Sequence, residues 1–355
     1  MSEEQLRWEP AAGHGDQVLS AVDGPLGRVR LNRPRAINAL DRASVDSLRQ
    51  VLTDWAEEDG VHAVLIDGAG ERGLCAGGDV RALREAILAG DVQLPVDYWA
   101  AEYALNQQVA DFPKPYIAWM DGIVMGGGLG VSTHGSVRLV TERTQLAMPE
   151  VIIGFFPDVG VLHLLAQAPG ETGTHLAMTG SPVSGADAVL LGLADAQVPS
   201  DAYGQVVDTL REDPTLGAEA LVQRVGALGG DEAESWLQTQ RAWVDECYAG
   251  DDAALILERL RSRPEPEARE AAQTIASRSP HSVAVTLEAL RRAASLDLGG
   301  VLAQDLALGP AFAQHPDFAE GVRAQLVDKD RSPRWTHASV ADVPRSEVLA
   351  AFGPG

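Results

Sequence analysis

The stretch KPYIAWMDGIVMGGGLGVSTHG, residues 114–135, decides the fold class. It contains the apolar run Tyr116–Met120, which predicts a short buried strand. Three glycines follow at 126–128, and helical spacing continues from there to about His134. A strand that leads through glycines into a helix is typical of an α/β core with crossover connections.

The same order of strand, glycine loop and helix occurs upstream. The run His62–Asp67 predicts a buried strand, the loop GAGERGLCAGGD at 68–79 follows it, and a helix is expected from about Val80 to Leu88. Other predicted elements are a hairpin of 18–22 and 27–31, helices at 41–55 and 96–109, and strands at 137–141 and 145–148. Strands and helices therefore alternate to about residue 200.

Beyond residue 200 the strand signals nearly vanish and amphipathic helices take their place. Helices are predicted at 217–228, 231–249, 251–262, 266–278, 281–295 and 297–313. The sequence thus predicts an α/β core at 15–200 and a mainly helical C-terminal region at 201–355, after a loose leader at 1–16.

The chain is acidic, with a net charge of −23 over 355 residues. Nucleic acids and anionic membranes need a basic footprint, so neither is an expected partner. An anionic small molecule would need a local cationic patch, and Arg28, Arg30, Arg33 and Arg35 are candidates, although a solvated basic edge is the simpler interpretation of these residues alone. Two cysteines, no secretory signal and no membrane-spanning stretch make a cytoplasmic protein the expectation.

The two glycine loops are the first candidate site. Glycine lets the backbone approach a ligand closely, and loops from two adjacent strands can direct two amides at one oxygen. Such an arrangement is an oxyanion hole, which stabilises acyl transfer by several kcal/mol. Tight packing or a simple turn remains the alternative for either loop alone. Neither loop fits the GxGxxG dinucleotide pattern, and no Walker lysine follows.

A pair of carboxylates is the second candidate site. Glu150 and Asp158 lie in the apolar stretch 148–160, where a charged group is costly unless it is paired or used. Burial would raise the pKa of such a carboxyl towards the range that suits acid–base catalysis. A helix N-cap or a buried salt bridge would explain the same residues.

Other chemistries have weaker support. Residues 130–134 nearly match the GxSxG elbow but end in His134, and the strand–turn–helix context is wrong. Cys75 is expected to be a packed thiol, because no histidine is spaced as its partner. No HExxH or CxxC pattern predicts a metal site.

Taken together, these segments resemble the crotonase (enoyl-CoA hydratase/isomerase) superfamily. The residues that carry the resemblance are LNRPRAINAL at 31–40, CAGGD at 75–79, GGG at 126–128 and MPE at 148–150. Within the superfamily the chain looks most like the 3-hydroxyisobutyryl-CoA hydrolase family, on EYALNQQV at 102–109, residues 114–135, AMPEVIIGFFPDVG at 147–160 and EGVRAQLVDKDRSPRW at 320–335. The resemblance spans nearly the whole chain.

This resemblance implies a crotonase-like spiral of ββα units with a helical C-terminal part. It also implies roles for particular residues: oxyanion amides at Gly78 and Gly127, CoA contacts at Arg81, Arg33 and Arg35, and acidic substrate-site positions at Glu102, Glu150 and Asp158. Coenzyme A would be part of the substrate, with no metal or redox cofactor. Many relatives assemble as trimers, so a homo-oligomer is also consistent with the resemblance.

Two positions separate hydrolase from hydratase. Typical hydratases carry a glutamate two residues after the glycine run, where this chain has Gly130, and glycine where it has Asp158. The resemblance therefore favours hydrolysis of 3-hydroxyisobutyryl-CoA, as in valine breakdown, with Glu150 as the main catalytic carboxylate. Glu150 would activate water or attack the carbonyl, Asp158 would bind the 3-hydroxyl or share proton transfer, and Glu102 would position the acyl group. An enoyl-CoA hydratase or isomerase, or a non-catalytic acyl-CoA-binding relative, are the alternatives.

Overall fold

The structure is a computed structural model that describes residues 6–11, 15–226 and 234–353. Residues 1–5 and 12–14 of the predicted leader, and 227–233 of the predicted helices, lie outside the described residues. The contacts of the chain divide it into two compact units. Unit 1 comprises Met1–Gly78, Ala101–Leu146 and Val183–Ser235, and unit 2 comprises Asp79–Ala100, Ala147–Pro182 and Trp236–Gly355.

The strands and helices of the described residues have the following bounds. The strands are β1 Glu9–Pro10, β2 Val18–Asp23, β3 Leu26–Leu31, β4 Ala63–Gly68, β5 Tyr116–Met120, β6 Ile123–Met125, β7 Val137–Val140, β8 Gln145–Ala147, β9 Val183–Ser184 and β10 Ala196–Gln197. The α-helices are α1 Arg42–Glu57, α2 Val80–Leu88, α3 Gln93–Ala110, α4 Gly127–Gly130, α5 Val161–Leu165, α6 Thr172–Thr179, α7 Gly185–Leu190, α8 Tyr203–Glu212, α9 Ala218–Gly226, α10 Trp236–Cys247, α11 Ala253–Ser262, α12 Pro266–Ala276, α13 Pro280–Ala293, α14 Leu298–Gln314, α15 Pro316–Val322 and α16 Arg345–Ala350. Short 3-10 helices occupy Pro34–Ala36, Pro149–Ile152, Ser200–Ala202 and Val340–Asp342.

Unit 1 is built on a sheet whose described strands have the order β1-β2-β3-β4-β5-β7-β10. Strands β1, β2 and β3 pair antiparallel, whereas β3, β4, β5, β7 and β10 pair parallel. A second sheet contains β6, β8 and β9. The parallel strands β3 and β4 are joined by a crossover that contains α1, as expected for an α/β core.

The sequence explains why these elements form in unit 1. All five residues of β5 are buried, as a parallel strand covered on both faces requires, so it has no polar alternation. Helix α1 begins after Asp41, whose Oδ1 accepts the Ser44 N–H at 2.8 Å. Its buried face carries Val45, Leu48 and Leu52 at helical spacing.

Unit 2 is mainly helical and has its own apolar core. That core includes Val151 and Met178 together with residues of α10, α11, α12 and α13. A separate group of aromatic rings lies beside the segment that follows the 3-10 helix Pro149–Ile152. Trp99 stacks on Phe155 with ring centroids 4.7 Å apart, and Phe156 lies 4.9 Å from Phe312. These rings pack around Phe155 and Phe156, on the segment that also carries Glu150 and Asp158.

Most predicted elements are confirmed. The helix at 80–88 and the strand at 116–120 have the predicted bounds, and no described residue after 200 forms a strand. Helix α3 begins at Gln93, earlier than expected, because Pro95 is tolerated in a first turn. The helix predicted to reach His134 was wrong in length, since α4 ends at Gly130.

The compact units do not follow the domain boundary that the sequence predicted at residue 200. Residues 147–182 group with the C-terminal helices in unit 2, and residues 201–235 group with the sheet in unit 1. The boundary was drawn from a change in secondary-structure type, whereas the units reflect which elements pack together. Of the helices that the structure describes, none combines the length and the apolar character that crossing a membrane requires.

Candidate functional site

The two glycine loops of unit 1 are joined to each other by backbone hydrogen bonds. Cys75 N–H donates to the Ile123 carbonyl at 3.1 Å, and Met125 N–H donates to the Cys75 carbonyl at 2.9 Å. The two segments form a parallel bridge at Cys75 and Val124. A third segment joins them, because Leu40 N–H donates to the Gly77 carbonyl at 2.8 Å. The position of each loop is therefore set by main-chain contacts.

Glycine is required at particular positions of these loops. Gly77 has φ = +103° and Gly126 has φ = +50°, a region that other residues rarely adopt. Gly128 is needed for a different reason, since a Cβ on it would lie 2.7 Å from the Cys75 carbonyl oxygen. The glycines thus allow the two loops to approach as closely as they do.

The predicted oxyanion residues, Gly78 and Gly127, lie close together within unit 1. A Cβ built on Gly127 would lie 3.5 Å from the Gly78 nitrogen and 2.3 Å from Glu102 Oε1. Gly127 is the first residue of α4, so its N–H has no acceptor inside the helix. No main-chain carbonyl of the described residues accepts from either amide outside the regular helices and strands. The two predicted donors are therefore close to each other, and the buried Glu102 lies next to Gly127.

The arginines near the N-terminus fall into two groups. Arg28 is buried and Arg30 forms a two-pronged pair with Asp67, its Nε lying 2.6 Å from Oδ1. Neither side chain belongs to a solvated basic surface, and neither has a guanidinium that is free to bind a phosphate. Arg33 donates to the Ala39 carbonyl at 2.7 Å and is partly exposed, whereas Arg35 is exposed. Only this second group matches a surface that could meet an anionic ligand.

The nucleophiles set aside in the sequence are also unsuitable in the structure. Burial raises the pKa of the Cys75 thiol to about 12, which confirms a packed thiol. The Ser132 hydroxyl donates to the Gly128 carbonyl at 2.7 Å, as a serine in a helical turn does.

The predicted carboxylates Glu150 and Asp158 lie on one irregular segment of unit 2. Glu150 belongs to the 3-10 helix that Pro149 begins, and its carbonyl accepts from Ile153 N–H at 2.9 Å and Phe155 N–H at 3.0 Å. Both carboxyl side chains are buried, being 7% and 5% exposed.

A third carboxyl, Asp305, was not predicted as a site residue. It lies on α14 and is fully buried, and its Oδ2 accepts the Gly160 N–H at 2.9 Å. Burial raises the pKa of Asp305 well above its ordinary value, and the nearby charge of Asp158 raises it further. The signal that could have found it is an aspartate in an otherwise apolar helix.

Arg81 lies in unit 2 and has an unpredicted contact. Its side chain is exposed, and Nη2 donates to the Leu326 carbonyl at 2.7 Å. This bond links α2 to the segment after α15 and fixes the orientation of the guanidinium.

One group of the described residues has the composition of a metal site. Ligand atoms of His281, His315 and Glu347 lie within 4.8 Å of one another. However, His315 Nδ1 accepts the Asp317 N–H at 3.3 Å, so the proton of the neutral ring belongs on Nε2, the atom that faces Glu347. Glu347 Oε1 also lies 2.7 Å from His281 Nδ1, so hydrogen bonds within the chain account for the grouping.

Comparison with known proteins shows similarity over almost the entire chain. The sequence profile described as enoyl-CoA hydratase/isomerase matches residues 26–352. The mitochondrial 3-hydroxyisobutyryl-CoA hydrolase of Rattus norvegicus is 36% identical, over 95% of this chain and 88% of that protein. A crystal structure titled carnitinyl-CoA dehydratase, from Mycobacterium thermoresistibile, has a TM-score of 0.90 at 45% identity, covering 96% of this chain and 97% of the other. An enoyl-CoA hydratase from Rhodobacter sphaeroides 2.4.1 has a TM-score of 0.87 at 36% identity, covering 95% and 97%. The predicted fold class is confirmed.

Proposed function

The chain belongs to the enoyl-CoA hydratase/isomerase family, and from that premise we propose that it hydrolyses the thioester of 3-hydroxyisobutyryl-CoA. The match over residues 26–352 confirms the family resemblance found in the sequence. The proposed substrate is the one in the names of relatives such as the rat hydrolase, to which this chain is similar over nearly its full length.

The observation that carries the proposal is the distribution of carboxylates. Gly130 is buried at the end of α4, at the position where the resemblance implies a hydratase glutamate. Asp158 is a buried carboxylate at the position where hydratases usually have glycine. Relative to the hydratase pattern, the chain lacks a carboxylate at Gly130 and has an additional one at Asp158. This difference supports a reaction other than addition of water to a double bond.

The first part of the mechanism concerns the thioester oxygen. The amides of Gly78 and Gly127 are proposed to donate to it, and these bonds strengthen as the carbonyl carbon becomes tetrahedral and the oxygen gains negative charge. The donors are held by the main-chain bonds between the loops, so they need not reorganise during the reaction. A donor of this kind contributes about 10²–10³ in rate.

Glu150 is the proposed catalytic carboxylate. Water adds to the carbonyl carbon as one of its protons passes to Glu150, and the tetrahedral intermediate then collapses. The C–S bond breaks with its electron pair going to sulfur, and Glu150 returns the proton to the leaving thiolate. In the alternative route the Glu150 carboxylate attacks the carbonyl carbon, and the C–S bond breaks with its electron pair going to sulfur, which gives a mixed anhydride and the coenzyme A thiolate. Water then cleaves the anhydride to the free acid and the Glu150 carboxylate, and a proton from that water goes to the thiolate.

The remaining residues have proposed binding roles. Asp158 would accept a hydrogen bond from the 3-hydroxyl of the acyl group or share proton transfer, and Glu102 would position that group next to the oxyanion amides. Arg81, Arg33 and Arg35 would contact coenzyme A, whose phosphates are anionic. Such a reaction needs no cofactor beyond the coenzyme A of the substrate.

The test is release of free thiol from 3-hydroxyisobutyryl-CoA, with Glu150→Gln alongside. We expect wild-type cleavage and a loss of about 10³-fold in kcat for the variant, since an amide cannot take the proton from water. Glu71→Gln is the matched control, because Glu71 is an exposed carboxylate of the first glycine loop. Full activity of Glu150→Gln would contradict the role of Glu150.

The two chemical routes can be separated by isotope labelling. In a single turnover in H₂¹⁸O, direct attack by water puts the label only in the acid product. Cleavage of an anhydride by attack of water on the Glu150 side puts it in the enzyme, where mass spectrometry of the peptide that contains Glu150 detects it.

A second candidate is hydration or dehydration of an acyl-CoA, which the 45% identity to the structure titled carnitinyl-CoA dehydratase favours. Crotonyl-CoA and carnitinyl-CoA, followed by the ultraviolet absorbance of the conjugated thioester, test it directly. Turnover in that assay without thiol release would replace the hydrolase proposal. Tight CoA binding without turnover of any of these thioesters would indicate a non-catalytic relative.

The proposed setting is the cytoplasm, with a role in valine breakdown. Both cysteines are free and buried, which is consistent with a reducing compartment. Cell fractionation tests the location, and growth on valine as carbon source in a deletion strain tests the role. Light scattering of the purified chain would show whether it forms a homo-oligomer.

A further inference from the structure

Asp305 has a polar environment that is incomplete for an ionised carboxylate. Its side chain is 0% exposed, on the helix α14. Oδ2 accepts the Gly160 N–H at 2.9 Å, while Oδ1 has no hydrogen-bond partner in the described part of the chain. A buried carboxylate with a single donor is poorly solvated, so a specific reason for its presence is needed.

Asp317 of the same unit is a buried aspartate whose hydrogen bonds indicate a structural role. It too is 0% exposed, but Oδ2 accepts the Ser279 hydroxyl at 2.6 Å and Oδ1 accepts both Thr336 groups, N–H and hydroxyl, at 2.8 Å. Three donors compensate for lost hydration. Asp305 has one, so the contrast separates it from the ordinary buried aspartates of this fold.

The bond that Asp305 makes controls a strained turn. Val159 has φ = +54° and Gly160 has φ = +75°, so two consecutive residues after Asp158 are left-handed. A β-branched valine in this region is a true outlier and persists only where its surroundings fix it. The bond to Gly160 N–H is one contact that fixes it, and Val161 N–H to the Asp158 carbonyl, at 3.1 Å, is another.

We propose that Asp305 is a positioning residue for Asp158, which it acts on by holding the turn 158–160 through the Gly160 amide. The inference rests on the proposed function, in which Asp158 binds the substrate hydroxyl. Displacement of a binding group by about 1 Å costs up to about 10²-fold in rate, so a single bond to this turn has a measurable effect.

The protonation state of Asp305 fits this role. Burial raises its pKa well above the ordinary value, the charge of Asp158 raises it further, and the Gly160 bond opposes both effects. Helices α5, α13 and α15 pack against α14, and the charge that raises the pKa of Asp305 comes from Asp158. One carboxyl of the two therefore keeps its proton, as two adjacent like charges require.

The activity test compares three variants on α14 in the thiol-release assay. Asp305→Asn keeps a neutral oxygen for the Gly160 N–H, so kcat should stay within about twofold of wild type. Asp305→Ala removes the acceptor and should lower kcat by about 10- to 100-fold with little change in KM. Leu308→Ala opens a cavity at a fully buried position of the same helix but keeps the Asp305 acceptor of the Gly160 N–H, and should leave kcat of the folded enzyme unchanged.

A double-mutant cycle with Asp158→Asn separates positioning from general stability. If Asp305 acts through Asp158, Asp305→Ala has no further effect on kcat once Asp158 is replaced. Independent, multiplicative losses would overturn the proposal, as would a wild-type kcat in Asp305→Ala or an equal loss in Asp305→Asn.

Hydrogen exchange provides a readout that does not depend on the substrate. The Gly160 amide should be protected in wild type and in Asp305→Asn, and should exchange faster in Asp305→Ala while the rest of α5 stays protected. Unchanged protection in Asp305→Ala overturns the positioning role. If wild type releases no thiol, the proposed function fails, and the exchange experiment still decides the role of Asp305.

Discussion

Arg28 of unit 1 and Asp305 of unit 2 are both buried, at 1% and 0% exposure, and each unit gives its charge an opposite kind of neighbour. Arg28 Nη1 lies 4.0 Å from Asp23 Oδ2, and Nη2 lies 3.6 Å from Asp67 Oδ2. Asp305 is next to a carboxyl of its own sign, Asp158. Opposite charges offset each other's loss of hydration, whereas two like charges cannot both ionise.

The difference teaches how to interpret buried charge in this fold. The Arg28 cluster is extended by Arg30, which pairs with Asp67, and by the hydroxyl of Tyr203, which bonds to Asp67 and Arg28. Burial, reinforced by the charge of Asp67, raises the pKa of Tyr203 far above its ordinary value, so the hydroxyl remains a donor. A network whose charges compensate each other indicates a structural role, while two buried carboxyls that raise each other's cost of ionisation are a candidate for function.

The largest expected effect on stability comes from breaking the compensated cluster. Arg28→Met removes the cation that the buried Asp23 and Asp67 share and leaves each carboxylate with one cation, Arg211 beside Asp23 and Arg30 beside Asp67. The loss of charge-assisted contacts should lower the free energy of unfolding by about 1.5–3 kcal/mol. Urea denaturation followed by circular dichroism measures this, and kcat of the remaining folded enzyme should not change.

The matched control is Arg42→Ala on the surface of α1. Arg42 and Asp46 form an i,i+4 pair at 2.9 Å with side chains about half exposed, so its loss should cost only about 0.3–0.5 kcal/mol. If Arg28→Met proves no more destabilising than Arg42→Ala, the cluster is not the structural element described above.

Asp158→Asn should lower kcat without lowering stability, which is the opposite of the result expected for Arg28→Met. Asp158→Asn removes the charge that disfavours ionisation of Asp305, so thermal stability should be unchanged or higher. The value of kcat should fall by about 100-fold, roughly 2.7 kcal/mol. Differential scanning calorimetry and the thiol-release assay report the two quantities on the same preparation. A drop in Tm comparable with that of Arg28→Met would remove the distinction between the two regions.

The smallest expected effect concerns a third buried cluster, in which His281 Nδ1 lies 2.7 Å from Glu347 Oε1. Burial lowers the pKa of His281, and the neighbouring His315 lowers it further. The unfolded chain therefore takes up a proton near pH 6.5 that the folded one does not, and stability is lost as the pH falls below that value. His281→Asn should reduce the drop in Tm between pH 7 and pH 5, by an amount on the order of 2–4 °C. An unaltered drop would show that His281 does not contribute.

The sequence was a good guide to regular elements, because their periodicity is local. The apolar run at 116–120 and the pattern at 80–88 gave strand and helix with the observed bounds. It was a poor guide to compact units, because packing depends on distant residues: α2 groups with helices near the C-terminus, and its Arg84 donates to the Ala319 carbonyl at 2.9 Å.

The site shows the same division. Glycine runs revealed where the loops of unit 1 lie, and the structure brings Gly78, Gly127 and Glu102 together. Asp305 could not be found by spacing, since it is more than 140 residues from the turn that it holds. The partners of Arg28 were also hidden, because Asp67 and Tyr203 come from distant parts of the chain.

The buried thiol of Cys75 can be used to measure how often the first glycine loop opens. Cys75 carries the main-chain bridge to Val124, and its sulfur is within 3.4 Å of the Gly77 nitrogen. An alkylating reagent can reach this sulfur only when the bridge opens, so the labelling rate of Cys75 measures how often the loop that carries the proposed oxyanion amide of Gly78 opens. Protection of Cys75 from labelling by an added acyl-CoA would report ligand binding without any turnover.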